Sequence, residues 1–362
     1  MSKKSEILRI WQECFPGDSP QWRRMFFDSS YVDEEALTES DPETGATVSS
    51  LLLLPYSMTI AGSNLGVGYI YGAGTLRKFR AKGHMGRLLK RALREAADRG
   101  DSIVVLIPAS ETLRGYYGRF GFASVFYRRP LRFTSLHQFT FEGEYVDVTA
   151  LPAAELFPAF EHLTEKQDYS VRHTRAQFLT AMDDVKLSAT GFAAIRRADE
   201  PEGEAVAMAW GRVGELSDDL YVTELIATDS DAANAVIMRL KEQFPDRPIT
   251  ILTPASDQMA GGDLVAAGMA RIVNPEPILS ALAAANPSLR LRIRLTDPII
   301  EENNAVYTLQ GGKLTVQPAS DSAAVDLDVD APTLSALLFS SAPIADVTGL
   351  PARRPRMALM LD

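Results

Sequence analysis

The chain has one cysteine, Cys14, in 362 residues. A single thiol builds no disulfide framework and no cysteine-based metal site within one chain, and it fits a reducing compartment. Histidine is scarce too. His137, His162 and His173 are scattered and read as surface or structural residues, and no ligand cluster for a metal is seen. No stretch approaches the roughly 18 apolar residues of a membrane span. The opening Met1-Ser2-Lys3-Lys4-Ser5-Glu6 leads into no apolar core of signal-peptide length. An excess of positive charge is also missing. The formal net charge of -10 argues against a generic nucleic-acid binder. The expectation is a cytoplasmic protein with no membrane and no nucleic-acid partner. Composition is that of a globular chain, 46% hydrophobic and 23% charged, and the length implies two or three domains.

What is present is concentrated between Gly72 and Phe122. A short apolar strand over 67–71 runs into Gly72-Ala73-Gly74-Thr75. Then comes Arg80-Ala81-Lys82-Gly83-His84-Met85-Gly86, opening into a helix with Leu88, Leu89, Ala92, Leu93 and Ala96 on one face. Gly100 ends it. A nearly all-apolar strand over 102–107 follows, then Tyr116-Tyr117-Gly118-Arg119-Phe120-Gly121-Phe122. Strand, glycine-bearing basic loop, helix and strand make a βαβ unit with a phosphate cradle at the helix start. Nine cationic side chains lie between Arg77 and Arg99 against only Glu95 and Asp98. Such a run is commonly a solvated helix face. Its place at a glycine loop favours a polyanionic cofactor instead. Gly83 and Gly86 let the backbone approach a pyrophosphate, Arg80 and Lys82 meet its oxygens, and Arg87 or Lys90 reaches an outlying phosphate. The spacing is neither G-x-x-x-x-G-K-S/T nor G-x-G-x-x-G, which argues against a nucleoside triphosphate and a dinucleotide.

Three segments are expected, over 1–140, 141–272 and 273–362. The first opens with two helices, one bearing Ile7, Ile10 and Trp11, the other capped by Asp18 or Ser19 and bearing Trp22, Met25, Phe26 and Phe27. Strands over 47–56 and 57–60 follow, with a turn at 61–64. The second segment repeats this order weakly: helices over 153–166 and 174–182, strands over 191–196, 204–213 and 220–227, a helix over 231–244 and a strand over 249–252. Its loop carries Asp229 and Asp231 where a phosphate cradle needs glycine and cations, so it reads as a non-binding copy. The third segment is α+β. It has a strand over 289–295, a hairpin turning at Gly311-Gly312, an alternating strand at Val325–Val329 and a helix entered through Asp330 and Pro332. The chain ends on an apolar stretch, which is expected to dock.

Arg80-x-x-Gly83-x-x-Gly86 after a strand, followed by a strand and Tyr-Tyr-Gly-Arg-Phe-Gly-Phe, resembles the GNAT superfamily of N-acetyltransferases. Met85 departs from the family's loop, which has glycine or alanine there; Gly86 comes one residue late. The whole-chain plan resembles the enhanced-intracellular-survival (Eis) type. The fold class implied is α/β (α+β): tandem GNAT-like mixed sheets flanked by helices, active and then degenerate, plus a C-terminal α+β domain similar to sterol carrier proteins. The resemblance implies acetyl-CoA as cofactor. Ala73, Gly74 and Thr75 would lie beside the thioester and pantetheine arm, and Arg80, Ala81, Lys82, Gly83, His84, Met85 and Gly86 would hold the pyrophosphate. Tyr117 would be the general acid to the leaving thiolate, with Tyr116 its rival, and the α-carboxylate of Asp362 the general base. Ser110 touches the cofactor or caps the next helix. His84 contacts phosphate or is a solvated first-turn residue. Cys14 reads as a small buried hydrophobe. Trp22, Phe26 and Phe27 are core or line a substrate pocket. Without the resemblance, Tyr117 reads as core.

The expected function is transfer of an acetyl group to a primary amine of an aminoglycoside, polyamine or lysine side chain, by direct transfer in a ternary complex. The partner is that small-molecule or lysine acceptor, and a homo-oligomer is implied by the Eis type. The alternative is a non-catalytic acyl-CoA-binding or regulatory protein. Transfer from aminoacyl-tRNA on a twin GNAT fold is disfavoured by the net charge and the CoA-type loop.

Overall fold

The computed structural model describes residues 2–165, 167–188, 190–214, 217–254, 263–320, 324–339 and 355–361. The chain begins with α1 (Lys3–Cys14), α2 (Pro20–Ser29), β1 (Ala36–Ser40), β2 (Thr47–Ile60), β3 (Ser63–Thr75), α3 (His84–Asp98), β4 (Ile103–Leu106), α4 (Glu111–Gly118) and β5 (Ala123–Phe133). It continues with β6 (Tyr145–Asp147), α5 (Ala153–Glu165), β7 (Val171–Arg172), α6 (Arg175–Leu187), β8 (Gly191–Arg197), β9 (Ala207–Val213), β10 (Leu220–Ala227), α7 (Ser230–Glu242), β11 (Ile249–Pro254) and β12 (Val265–Ile272). The last part holds α8 (Pro275–Ala285), β13 (Arg290–Thr296), β14 (Ala305–Gln310), β15 (Lys313–Pro318), β16 (Leu327–Asp330) and α9 (Ala331–Phe339). No helix among the described residues is long and apolar enough to cross a membrane.

Local chemistry accounts for much of this. The Ser2 side chain caps α1. Of the two caps expected for α2, Ser19 is the one used: its Oγ accepts from Trp22 N at 3.0 Å, with Pro20 at the first helical position. The two strands expected over 47–56 and 57–60 are one strand, β2. The Gly311-Gly312 turn closes the β14–β15 hairpin, both glycines having positive φ.

The mixed sheets of the two halves are joined edge to edge. Among the described residues twelve strands form one mixed sheet in the order β1-β2-β3-β4-β12-β5-β11-β10-β9-β8-β6, with β7 on β2. Strand β12 follows the second segment's strands in the chain, yet it lies between β4 and β5, antiparallel to both. Strand β5 in turn pairs with β11. The two halves therefore share their central strands. A separate four-stranded sheet, β15-β14-β13-β16, with α8 and α9, makes the last part. Its Leu291, Ile293, Leu295, Leu334 and Leu338 join one buried cluster with Trp11, Phe26 and Tyr69 of the first part. Burial of that apolar surface binds the parts together.

Candidate active site

Strands β3 and β4 run parallel and pair at Val67 with Ile103, Gly68 with Val104 and Tyr69 with Val105. Beyond Tyr69 they part. Strand β3 continues to Thr75, paired only with β2 among the described residues. The cause lies in the β2–β3 ladder, whose register shifts between Ser50 and Leu52. The bulge holds Gly72 at φ 59°, and a Cβ there would lie 2.0 Å from the Trp11 ring, so the position demands glycine. Ala73, Gly74 and Thr75 thus border an opening beside β4. A strand edge offers such an opening unpaired backbone groups.

The expected phosphate loop leaves the end of β3. Gly83 stands at the N-cap of α3 in the left-handed region (φ 81°), and no side chain caps the helix. Ala81 also has positive φ, at 63°. The first amides of α3 are therefore left for an external acceptor, at the positive end of the helix dipole. Arg80 and Lys82 are exposed at this loop. The Arg80 Nε donates to Thr75 O at 3.0 Å, and Lys82 Nζ lies 5.3 Å from the Phe79 ring centre. Gly86 does more than admit a ligand: a Cβ there would meet Phe120 at 3.2 Å, so the residue lets α3 press against the end of α4. Met85 packs half-buried against the core beneath α3.

Neither alternative for the His84 side chain holds. It is buried, with Nδ1 2.9 Å from Arg87 Nη2 and Nε2 3.7 Å from Asp41 Oδ1. A guanidinium only donates, so Nδ1 accepts and Nε2 carries the proton. The ring is turned toward the β1–β2 loop, leaving His84 only its backbone for the cofactor. Arg87 is taken up by Glu39 at 2.7 Å. Lys90 is exposed and makes no hydrogen bond or ion pair among the described residues, which leaves it the better placed of the two for an outlying phosphate. Cys14 is half-buried rather than core. Its Sγ donates to Thr75 O at 3.4 Å and lies 3.9 Å from Arg80, because α1 packs on the loop end of β3. Ser110 is a helix cap, its Oγ accepting from Leu113 N at 3.3 Å.

Tyr117 lies on α4, 8% exposed, in the cluster that also holds Leu88 and Leu106. Burial, then the neighbouring Tyr116, pushes its phenol up to about 12, so it holds its proton throughout the neutral range. Burial also raises the Tyr116 phenol, whose ring carries the Arg119 guanidinium 4.8 Å over its face.

A cavity of about 1120 Å³ lies between α2, β5 and the second half, reaching Ile107 just past β4. Trp22 lines it, its Nε1 donating to Asp184 Oδ1 at 2.6 Å. Phe26 and Phe27 do not line it. Phe26 stacks behind Trp22 with centroids 5.2 Å apart, and Phe27 meets Phe26 and Trp11 edge-on, so these two are core. The wall carries as many arginines as carboxylates, so the cavity does not mirror the acidity of the whole chain.

Pro355, Arg356, Met357, Leu359 and Met360 of the tail form part of this cavity's wall. Arg356 bridges to Ser170 in parallel, with Val171 N donating to Arg356 O at 3.0 Å and Arg356 N to Tyr169 O at 2.9 Å. Its guanidinium reaches Glu224 at 3.2 Å, and Glu224 also holds Arg128. Arg128 donates to Met357 O, His173 to Leu359 O, and the Tyr69 hydroxyl to Leu361 O. Tyr69 is the residue at which β3 and β4 part. The expected base, Asp362, lies outside the described residues. The apolar ending signalled the docking. Nothing in the sequence pointed to Tyr69, Arg128, His173 or Glu224 as its receptors, since they come from four distant segments.

His173 makes this docking pH-dependent. A carbonyl only accepts, so Nε2 carries the proton and the buried Nδ1 has no hydrogen-bond partner among the described residues. Burial is the main cause of a pKa lowered to about 4, against an ordinary 6.5. Between those values the undocked, solvated histidine binds a proton that the docked one does not, so docking weakens as pH falls through that window. Carboxypeptidase digestion of the native protein is expected to be slow at pH 7.5 and faster at pH 5. Equal protection at both would remove His173 from the docking.

The loop of the second half is closed by its own side chains. Asp229 caps α7 by accepting from Ala232 N at 2.8 Å and pairs with Arg197; Asp231 accepts from Glu142 N, Gly143 N and Tyr145 Oη.

Residues 2–125 match the acetyltransferase (GNAT) domain family, over the span that holds the bulge, the loop and Tyr117. The chain carries a GNAT acetyltransferase domain. Residues 276–348 match the sterol carrier protein domain family, so this GNAT chain has the domain plan of the Eis type. Its fold is similar to that of Eis1 from Mycobacterium abscessus, at TM-score 0.74 and 15% identity over 98% of this chain and 96% of the other. It is also similar to a GCN5-related N-acetyltransferase from Kribbella flavida, at TM-score 0.72 and 17% identity over 98% and 94%. A third similar structure is a probable N-acyltransferase from Enterococcus faecalis, at TM-score 0.74 and 14% identity over 94% and 88%. No match was found among the curated proteins.

Proposed function

We propose that the protein transfers an acetyl group from acetyl-CoA directly to a primary amine held in the large cavity. One observation carries the reading: the tail, which lines the cavity, docks on Tyr69, where β3 and β4 part. Bound acetyl-CoA would supply an activated acetyl thioester. The uncapped amides at Gly83–Gly86, with Arg80 and Lys82, would hold its pyrophosphate, and Lys90 an outlying phosphate. The backbone of Ala73–Thr75 would align the pantetheine arm and offer an N–H to charge developing on the carbonyl oxygen. Tyr117 Oη would give its proton to the departing sulfur, and a carboxylate of Asp362 would take one from the attacking amine. Burial keeps that phenol protonated in the resting enzyme, so the proton is there to be given. Trp22 would form one wall of the amine site. The chain then divides into an active domain over 1–140, a degenerate one over 141–272 that lends β12 to the first, and a sterol-carrier-like domain over 273–362. The acceptor class is a polyamine, an aminoglycoside or a lysine side chain.

Calorimetric titration of acetyl-CoA tests the first half. Binding is expected at roughly micromolar Kd, weakened about tenfold in Arg80→Ala/Lys82→Ala. Thiol release on spermidine, kanamycin and Nα-acetyl-lysine amide tests the second. Binding without release on any of them would favour a non-catalytic acyl-CoA-binding protein; no binding would sink the reading.

A further inference from the structure

Arg271 near the end of β12 and Asp297 in the loop after β13 form a wholly buried ion pair, their side chains 1% and 0% exposed. The Arg271 Nη2 donates to both carboxylate oxygens, at 2.6 and 2.8 Å. The carboxylate is saturated by Ile299 N, Ile300 N and Asn303 Nδ2 as well. Burying two charges is costly, and such a pair seldom adds net stability over apolar packing. Its geometry supplies another use.

The other arm of Arg271, Nη1, donates at 2.6 Å to the carbonyl of Phe120, in the turn that follows α4. That turn is built around the guanidinium. Gly121 has φ 86°, and a Cβ there would lie 1.8 Å from Nη1. Within the turn, Phe120 N and Phe122 N both donate to the carbonyl of Tyr117, at 2.9 and 3.5 Å. The Phe120 ring in turn abuts Gly86 at the start of α3. Ile299 and Ile300, which Asp297 holds, pack in the same cluster as Tyr117, Phe122 and Leu88, and Arg94 of α3 donates to Ile299 O at 3.1 Å.

We propose that Arg271, held by Asp297, is a positioning residue for acetyl transfer, fixing the turn after α4 and hence the Tyr117 hydroxyl relative to the α3 loop. The sterol-carrier-like domain is then part of the acetyltransferase site through Asp297, rather than an appendage. This rests on Tyr117 acting as the acid.

The full-length enzyme tests it through a double-mutant cycle. In Arg271→Lys the charge and the pairing with Asp297 are kept, but one ammonium does not reproduce the fork that spans both acceptors. Its kcat for acetylation of the fastest of the three probe amines is expected to fall about tenfold, with the acetyl-CoA Kd within about threefold, because a misplaced catalytic group costs rate more than binding. In the Tyr117→Phe background the same change is expected to cost less than about twofold, the two acting as one unit. Gly121→Ala attacks the same arm from the other side and should reproduce the split; acetyl-CoA binding by calorimetry reports that each variant is folded. Unchanged kcat in both folded variants, or losses that multiply fully with Tyr117→Phe, would overturn the proposal. If Tyr117→Phe alone leaves kcat unchanged, the acid assignment fails and this inference with it; a loss there with none in Arg271→Lys removes the clamp alone.

Discussion

Replacing Tyr117 with phenylalanine is expected to lower kcat by about 10²–10³-fold, the usual weight of a general acid, while acetyl-CoA binds within about twofold of wild type. The separation follows from where the hydroxyl lies. The ring stays in its apolar cluster with Leu88 and Phe122, so the fold keeps its packing. Among the described residues no hydrogen-bond partner of that oxygen would be stranded. What disappears is a proton held at about 12. Steady-state kinetics with calorimetry on the same variant decides the matter. If kcat falls and Kd rises together, Tyr117 is a packing residue; if Tyr116→Phe produces the loss instead, the role passes one residue back along α4.

Ending the chain at Arg356 is expected to reduce kcat by at least about 100-fold, since the variant loses the segment that leads to the proposed base. The same cut removes three buried residues among those described, Met357, Ala358 and Leu361, and takes from the Arg128, His173 and Tyr69 donors their carbonyl acceptors on the tail. Some loss of stability is therefore expected as well, about 1.5–3 kcal/mol for each large apolar side chain exposed. Acetyl-CoA affinity is the internal control, because the α3 loop makes no recorded contact with the tail. Tyr69→Phe separates the two effects. It frees the Leu361 carbonyl and should cost kcat several-fold with little change in the unfolding midpoint. Full activity in the shortened chain would show that the base lies elsewhere. Activity lost together with acetyl-CoA binding would mean the tail is structural.

The legible part of this protein is local. Gly72 at the bulge of β3, Gly83 at the cap of α3 and Gly86 in its first turn stand out because each has a conformation or a close contact that excludes a side chain. The buried face of α3 was visible in its spacing. So was the acidic second loop, whose aspartates now serve as caps and ligands of neighbouring backbone. What was misjudged is the use of side chains. His84 sits in a cationic, glycine-bearing loop and still turns inward to Asp41. Phe26 and Phe27 share a helix with Trp22, yet only Trp22 faces the cavity, because α2 presents one edge to it and packs the rest against Trp11.

Strand β12 shows the limit most directly. Val-Ala-Ala-Gly-Met-Ala-Arg-Ile has weak strand preference, and no strand was expected there. It becomes one because β4 and β5 leave a gap between them that only an antiparallel partner fills. The sequence by itself determined the βαβ unit, its glycine loop and the elements of the closing α+β part, since each element depends on residues close together in the chain. The tertiary structure alone decided that the halves share one sheet, that Arg271 and Asp297 meet beneath the turn after α4, and that the tail reaches Tyr69. Those arrangements join residues far apart in the chain, and only burial in a common core selects among the pairings that local pattern leaves equal.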